Sequence, residues 1–187
     1  MDMKSVPNPV DAAGPIKATL SNLFYGWGYN FYRKENQLRS DDLLIREKIS
    51  NLLGEARSHL AGLESAYRRD HLPPPSREHP FPDAAALQTV RSLENLIKDI
   101  EQLEVKIRTA AVPEMDRIHQ RHRIEWDTLE RLGAVDLELV SGVMAFQQAV
   151  LKLSDAPTAA SQGAELLKQA QIDADWRLRE SILSPLG

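Results

Sequence analysis

The sequence predicts an all-α protein: an elongated antiparallel helical bundle of three long helices and a shorter C-terminal helix, with an N-terminal aromatic segment. Three observations lead there. Apolar residues recur at alternating steps of four and three over Ile45–Ala66, Ala86–Ala111 and Ile118–Leu153, the spacing that lays one stripe along a helix or coiled-coil seam. Five of the eleven prolines fall between Asp70 and Asp83, between these runs rather than within them. Six of the eleven aromatic residues crowd into nine positions, Phe24 to Tyr32, which leaves the remainder as long helical pattern with few large side chains. Helix content above about 65% is expected, against the usual 30–35%.

Taken in order, residues 1–15 hold Pro7, Pro9, Gly14 and Pro15 and read as a flexible N-terminal arm. No apolar h-region of a secretory signal is present. The aromatic segment follows: Phe24, Tyr25, Trp27, Tyr29, Phe31 and Tyr32, interrupted by Gly26 and Gly28. It reads either as a plug closing one end of the bundle or as a partner-docking patch. With Arg33 and Lys34 beside it, weak contact with a membrane surface is a further reading.

The first long helix carries Ile45, Ile49, Leu52, Ala56, His59, Leu63 and Ala66 on its seam, widened by Leu53, Leu60 and Tyr67. Ser40 followed by Asp41 and Asp42 reads as its N-cap and acidic first turn, although nothing from Tyr29 onward forbids an earlier start. The proline-rich connection 71–82 is extended, because proline removes a helical donor and restrains its predecessor. Asp83 then caps a second helix whose seam is Ala86, Val90, Leu93, Ile97, Ile100, Glu104, Ile107 and Ala111. These two helices come out near 45 Å and 43 Å, as rough lengths at 1.5 Å per residue.

Pro113 marks a reversal or a kink before the third helix, Glu114 to Ser154. Its seam passes through His122, Glu125 and Asp136. Such polar seam residues must meet each other, a basic neighbour or water. Gly133 and Gly142 weaken this helix by about 1 kcal/mol each relative to alanine. It outreaches its neighbours by roughly ten residues, so the overhang invites a homodimer or a covering fourth helix. Asp155-Ala156-Pro157 makes a stop, and one less regular helix is expected over about Thr158 to Leu183. Residues 16–187 thus form a single bundle domain, a natural size for 187 residues.

Composition narrows the function. A net charge of -4 gives no reason to expect nucleic acid as the main partner. The basic run His119 to Arg123 is flanked by Glu114, Asp116, Glu125, Asp127 and Glu130, which cancel its field. Cysteine is absent, which removes disulfides and thiolate chemistry and fits a cytoplasmic location. No uninterrupted apolar stretch approaches the roughly 20 residues of a membrane span. Gly26-Trp27-Gly28 lacks the later residues of a phosphate loop, and no serine sits in a Gly-x-Ser-x-Gly elbow.

One cluster resembles metal chemistry. Asp116, His119, His122 and Glu125 follow at steps of three, and Glu55 and His59, one turn apart in the first helix, complete a mixed set. Such a set would take iron, manganese or zinc, and a metal-binding bundle enzyme is the alternative function. Arg117, Arg121 and Arg123 compete for the same carboxylates, which favours a register-setting role and no cofactor. The leading expectation is a non-enzymatic cytoplasmic helical interaction protein. As an adaptor or assembly factor, it would present a helical face and the aromatic patch to a protein partner, and would pair with a second copy of itself.

Overall fold

In the computed structural model the described residues are 37–74, 76–77, 81–111 and 125–183, with the side chains of 37–41 and 125–130 excepted. About 87% of them are helical, with no strand among them. Five helices follow in order: α1, Gln37–His71; α2, Ala84–Thr109; α3, Glu125–Leu151; α4, Ala156–Gln169; and α5, Ile172–Leu183.

Cross-helix pairs give the directions. Arg46 meets the Ile107 carbonyl, Arg57 the Glu101 carboxylate and Arg68 that of Glu94, so α2 runs antiparallel to α1. Glu55 meets Gln147 and His59 the Leu153 carbonyl, so α3 runs parallel to α1 and opposite to α2. The chain therefore reverses between Ala111 and Glu125, and the second and third helices are not one rod. Arg179 reaches back to Asp136, which returns α5 antiparallel to α3. The result is four rods up, down, up and down, the last broken into α4 and α5.

The seam residues supply the core. Ile45, Ile49, Leu53, Ala56 and Leu60 of α1 are fully buried against Leu93, Ile100 and Ile107 of α2 and Leu139, Val140, Val143 and Val150 of α3. Tyr67 and Leu63 pack at its margin. Asp83 caps α2 as expected, its Oδ2 accepting from the Ala86 N–H at 2.9 Å. Asp155 does the same for α4 through the Thr158 N–H at 2.8 Å, with Pro157 in the first turn. That bond satisfies an otherwise orphan donor and holds the Asp155 carboxyl below its ordinary value.

Three expectations need correction. Ser40 does not cap α1: the helix already runs from Gln37, which places Ser40 and Asp42 inside it. The first two helices are not matched, with 35 residues in α1 and 26 in α2. The fourth helix is not continuous either. Ala170 ends α4, and Gln171 takes φ 51°, the single positive-φ non-glycine residue described. A left-handed residue costs roughly 1–2 kcal/mol, and nothing from Lys168 to Ile172 disfavours helix on its own.

Tertiary contact explains the break: α4 lies along α2 while α5 crosses onto α3, and one straight rod cannot do both. Gly142 is the contact point. A Cβ there would sit 2.8 Å from the Ala170 carbonyl oxygen, so its lost helix propensity allows the turn to seat. Gly163 plays the same part between α4 and α2, where a Cβ would collide with Leu96 Cδ2.

Over Arg131–Leu151, α3 is apolar and long enough to pass for a membrane span by composition, at mean hydropathy 1.3. Its apolar face is committed to α1, α4 and α5, and Asp136 within it is ion-paired.

A buried ion network as the candidate functional site

The most unusual chemistry lies where α1 begins, α2 ends and α5 crosses α3. Asp42 and Arg46 stand one turn apart on α1, and Trp176 and Arg179 one turn apart on α5. Those spacings put each pair on one helix face. Asp136 faces them from α3. Asp42, Asp136 and Arg179 are at most 1% exposed, and Trp176 is fully buried.

Arg179 bridges two helices at once. Its Nε donates to Asp136 Oδ1 at 2.6 Å and its Nη1 to Asp42 Oδ1 at 2.5 Å. Asp42 also accepts from Arg46 Nε at 2.8 Å. The rest of the Arg46 guanidinium turns to the end of α2: Nη1 donates to the Ile107 carbonyl at 3.0 Å and that of Ala110 at 2.5 Å, and Nη2 to that of Ala111 at 2.9 Å. These are carbonyls at the negative end of a helix, where a cation is stabilised by the dipole as well as by hydrogen bonds. The guanidinium carbons of Arg46 and Arg179 lie 5.2 and 5.3 Å from the Trp176 ring centroid, within cation–π range.

Among the described residues, the two carboxylates and two guanidiniums that meet here sum to zero charge. Taking ions out of water costs several kcal/mol each unless they are paired, and the planar fork of arginine lets Arg179 serve Asp136 and Asp42 at once. Buried away from water, the arrangement acts as a clamp joining α1, α2, α3 and α5. Asp136 thus meets the basic neighbour that its seam position requires, and it comes from the same chain. Arg179, Trp176 and the core-facing role of Asp42 escape sequence reading. The signal available was the i, i+4 pair Asp42/Arg46 on the face that carries Ile45 and Ile49.

The charges around the start of α5 are looser. Asp173 accepts from Lys106 Nζ at 2.5 Å and from Arg177 Nη2 at 2.7 Å. The Lys106 hydrogen bond is the main reason its carboxyl lies below the ordinary value. Asp175 is pushed the other way by burial, and then by the nearby charge of Glu138.

Of the expected metal ligands, Glu55 and His59 are placed, Glu55 engaged with α3 and His59 with the turn that follows it. Glu55 accepts from Gln147 Nε2 at 2.7 Å. His59 Nε2 lies 2.8 Å from the Leu153 carbonyl oxygen and donates to it, which occupies that nitrogen. Asp116, His119 and His122 lie outside the described residues. So do the aromatic residues Phe24, Tyr25, Trp27, Tyr29, Phe31 and Tyr32 and the N-terminal arm. Among the described residues, no three His, Asp or Glu side chains converge as a metal site requires. Compared with protein-family models, curated proteins and solved structures, the chain matches none.

Proposed function

We propose that this chain is a non-enzymatic, cytoplasmic helical interaction protein, an adaptor or assembly factor that engages a protein partner through its aromatic segment. One observation carries the reading. Near the bundle end next in sequence to that segment, the core already holds a tryptophan of its own, Trp176, fully buried beside Arg46 and Arg179. A second aromatic plug is therefore not demanded there. Six rings in nine positions then suit a docking surface, since tyrosine and tryptophan concentrate at interaction hot spots.

Replacing Trp27 and Tyr29 together by alanine tests it. Partner capture falls while the melting temperature stays within about 3 °C, as for substitutions outside a core. Collapse of the fold in this variant overturns the docking role and restores the plug.

Self-association belongs to the same proposal. Asp136 no longer argues for it, having found Arg179, so the seam argument rests on His122 and Glu125. Light scattering at micromolar concentration then reads twice 21.0 kDa. A monomer across a hundredfold concentration range removes self-association from the reading.

A further inference from the structure

The break between α4 and α5 joins three features. Gln171 holds a left-handed conformation, at φ 51°, that its side chain disfavours. The residues around it, Lys168, Gln169, Ala170 and Ile172, contain neither glycine nor proline, and their pattern reads as uninterrupted helix. Past the break, α5 is a short helix whose buried residues are Ile172, Trp176 and Arg179. Trp176 and Arg179 enter a recess whose recognition groups, Asp42, Arg46 and Asp136, all belong to α1 and α3. Those groups cannot distinguish the α5 of their own chain from that of another copy.

We infer that α5 exchanges between two copies of this chain. Gln171 relaxes to right-handed helix, α4 and α5 become one helix over Ala156–Leu183 about 42 Å long, and each α5 fills the clamp of the other copy. Every bond from Trp176 and Arg179 is remade across the two chains, and Asp173 meets the other copy's Lys106. The strain at Gln171 is relieved at the expense of the turn seated on Gly142, while the contacts of Trp176 and Arg179 are kept. A short hinge under strain is the recognised route to such swapping. The inference rests on the self-association part of the proposed function and is independent of the aromatic patch.

The Lys106–Asp173 pair supplies the test. Its ammonium and carboxylate lie 2.5 Å apart, so a carbodiimide joins them directly as an amide. Equal amounts of ordinary and nitrogen-15-labelled full-length chain are unfolded together and refolded at about 1 mM, where mass action favours dimers. After cross-linking, the dimer and monomer pools are separated and digested, and the Lys106–Asp173 linked peptides are weighed. Exchange predicts that about half the linked pairs from the dimer carry one label of each kind, as random pairing in a two-fold assembly requires. The monomer pool carries none.

A dimer whose linked pairs all share one label overturns the exchange while sustaining self-association through another surface. Absence of any dimer overturns both. Gln171→Gly sharpens the result, because glycine takes this φ without strain. The variant folds as the monomer, and its exchanged fraction falls several-fold at the same concentration. An unchanged exchanged fraction in Gln171→Gly counts against hinge strain as the driving force and overturns the inference in this form.

Discussion

The two ends of the bundle are held by different physics. At one end, where α1 starts and α5 crosses α3, the centre contains Asp42, Arg46, Asp136, Arg179 and Trp176. At the other, Leu60, Leu93, Leu96, Phe146, Val150, Leu153 and Ala159 meet in an apolar core. Ions there stay at the surface, with Arg68 paired to Glu64 and Glu94 outside the packing. An apolar core resists changes of volume but accepts rearranged partners of similar shape. A buried ion network is the reverse: each arginine fork fits one arrangement of carboxylates, and a wrong pairing strands a charge. The apolar end makes the helices associate. The charged end selects which helix lies beside which.

The largest effect follows from breaking the charged end. Asp136→Ala leaves Arg179 with one carboxylate fewer and the cluster with a net positive charge in a water-free site. The expected loss is about 3–5 kcal/mol, read from the urea midpoint at unchanged slope. Asp136→Leu combined with Arg179→Met removes a whole pair and leaves Asp42 and Arg46 neutral together, so much of that loss returns. A double variant as unstable as the single would show that the ions stabilise the fold outright rather than select its arrangement.

At the apolar end the sensitive quantity is shape. Gly163→Ala places a methyl group against Leu96, which is itself buried and unable to yield freely. Overpacking costs about 1–3 kcal/mol, offset in part by the roughly 1 kcal/mol that alanine gains over glycine in a helix. Leu96→Ala in the same chain makes room, so the two changes together cost less than their sum. Strict additivity in that cycle would mean that α4 and α2 do not touch at this point.

How legible each end was in the sequence follows from the same contrast. Apolar seams announce themselves by period, and Ile45, Ile49, Leu93, Ile100, Leu139 and Val143 are buried where the four-three spacing places them. Asp136 stood out because it interrupted such a seam. Asp42 did not, since Ser40-Asp41-Asp42 imitates a helix start. Trp176 and Arg179 lie on a stretch without a clean stripe, and their worth comes from residues far away along the chain. Gly142 read as a weakness, although its missing Cβ is what admits the Ala170 carbonyl. The break at Gln171 is invisible locally because tertiary contacts impose it against propensity. The six aromatic residues and Asp116, His119 and His122 lie outside the described residues.

The smallest effects concern two carboxylates in the first turn of α5, which should titrate in opposite senses. Asp173 is held below the ordinary 3.8 chiefly by the Lys106 hydrogen bond. Its folded form prefers the ionised state, so its stabilisation is present above 3.8 and is lost as pH falls through the depressed value. Asp175 is raised by burial and by Glu138. Its folded form prefers the proton, so its contribution is full below 3.8 and disappears as pH rises through the raised value. Asp173→Asn therefore lowers the melting temperature at pH 7, and Asp175→Asn raises it, each by about 1–2 °C because both groups are partly exposed. In acid the gain from Asp175→Asn vanishes first, as pH falls through the raised value, and the deficit of Asp173→Asn closes only at lower pH. Arg68→Ala, at the apolar end, moves the midpoint less than either, because its pairs lie in water. Melting curves from pH 7 downward decide the matter. If both α5 variants shift in the same direction, electrostatics does not govern how this helix is seated, and the contrast between the two ends reduces to packing alone.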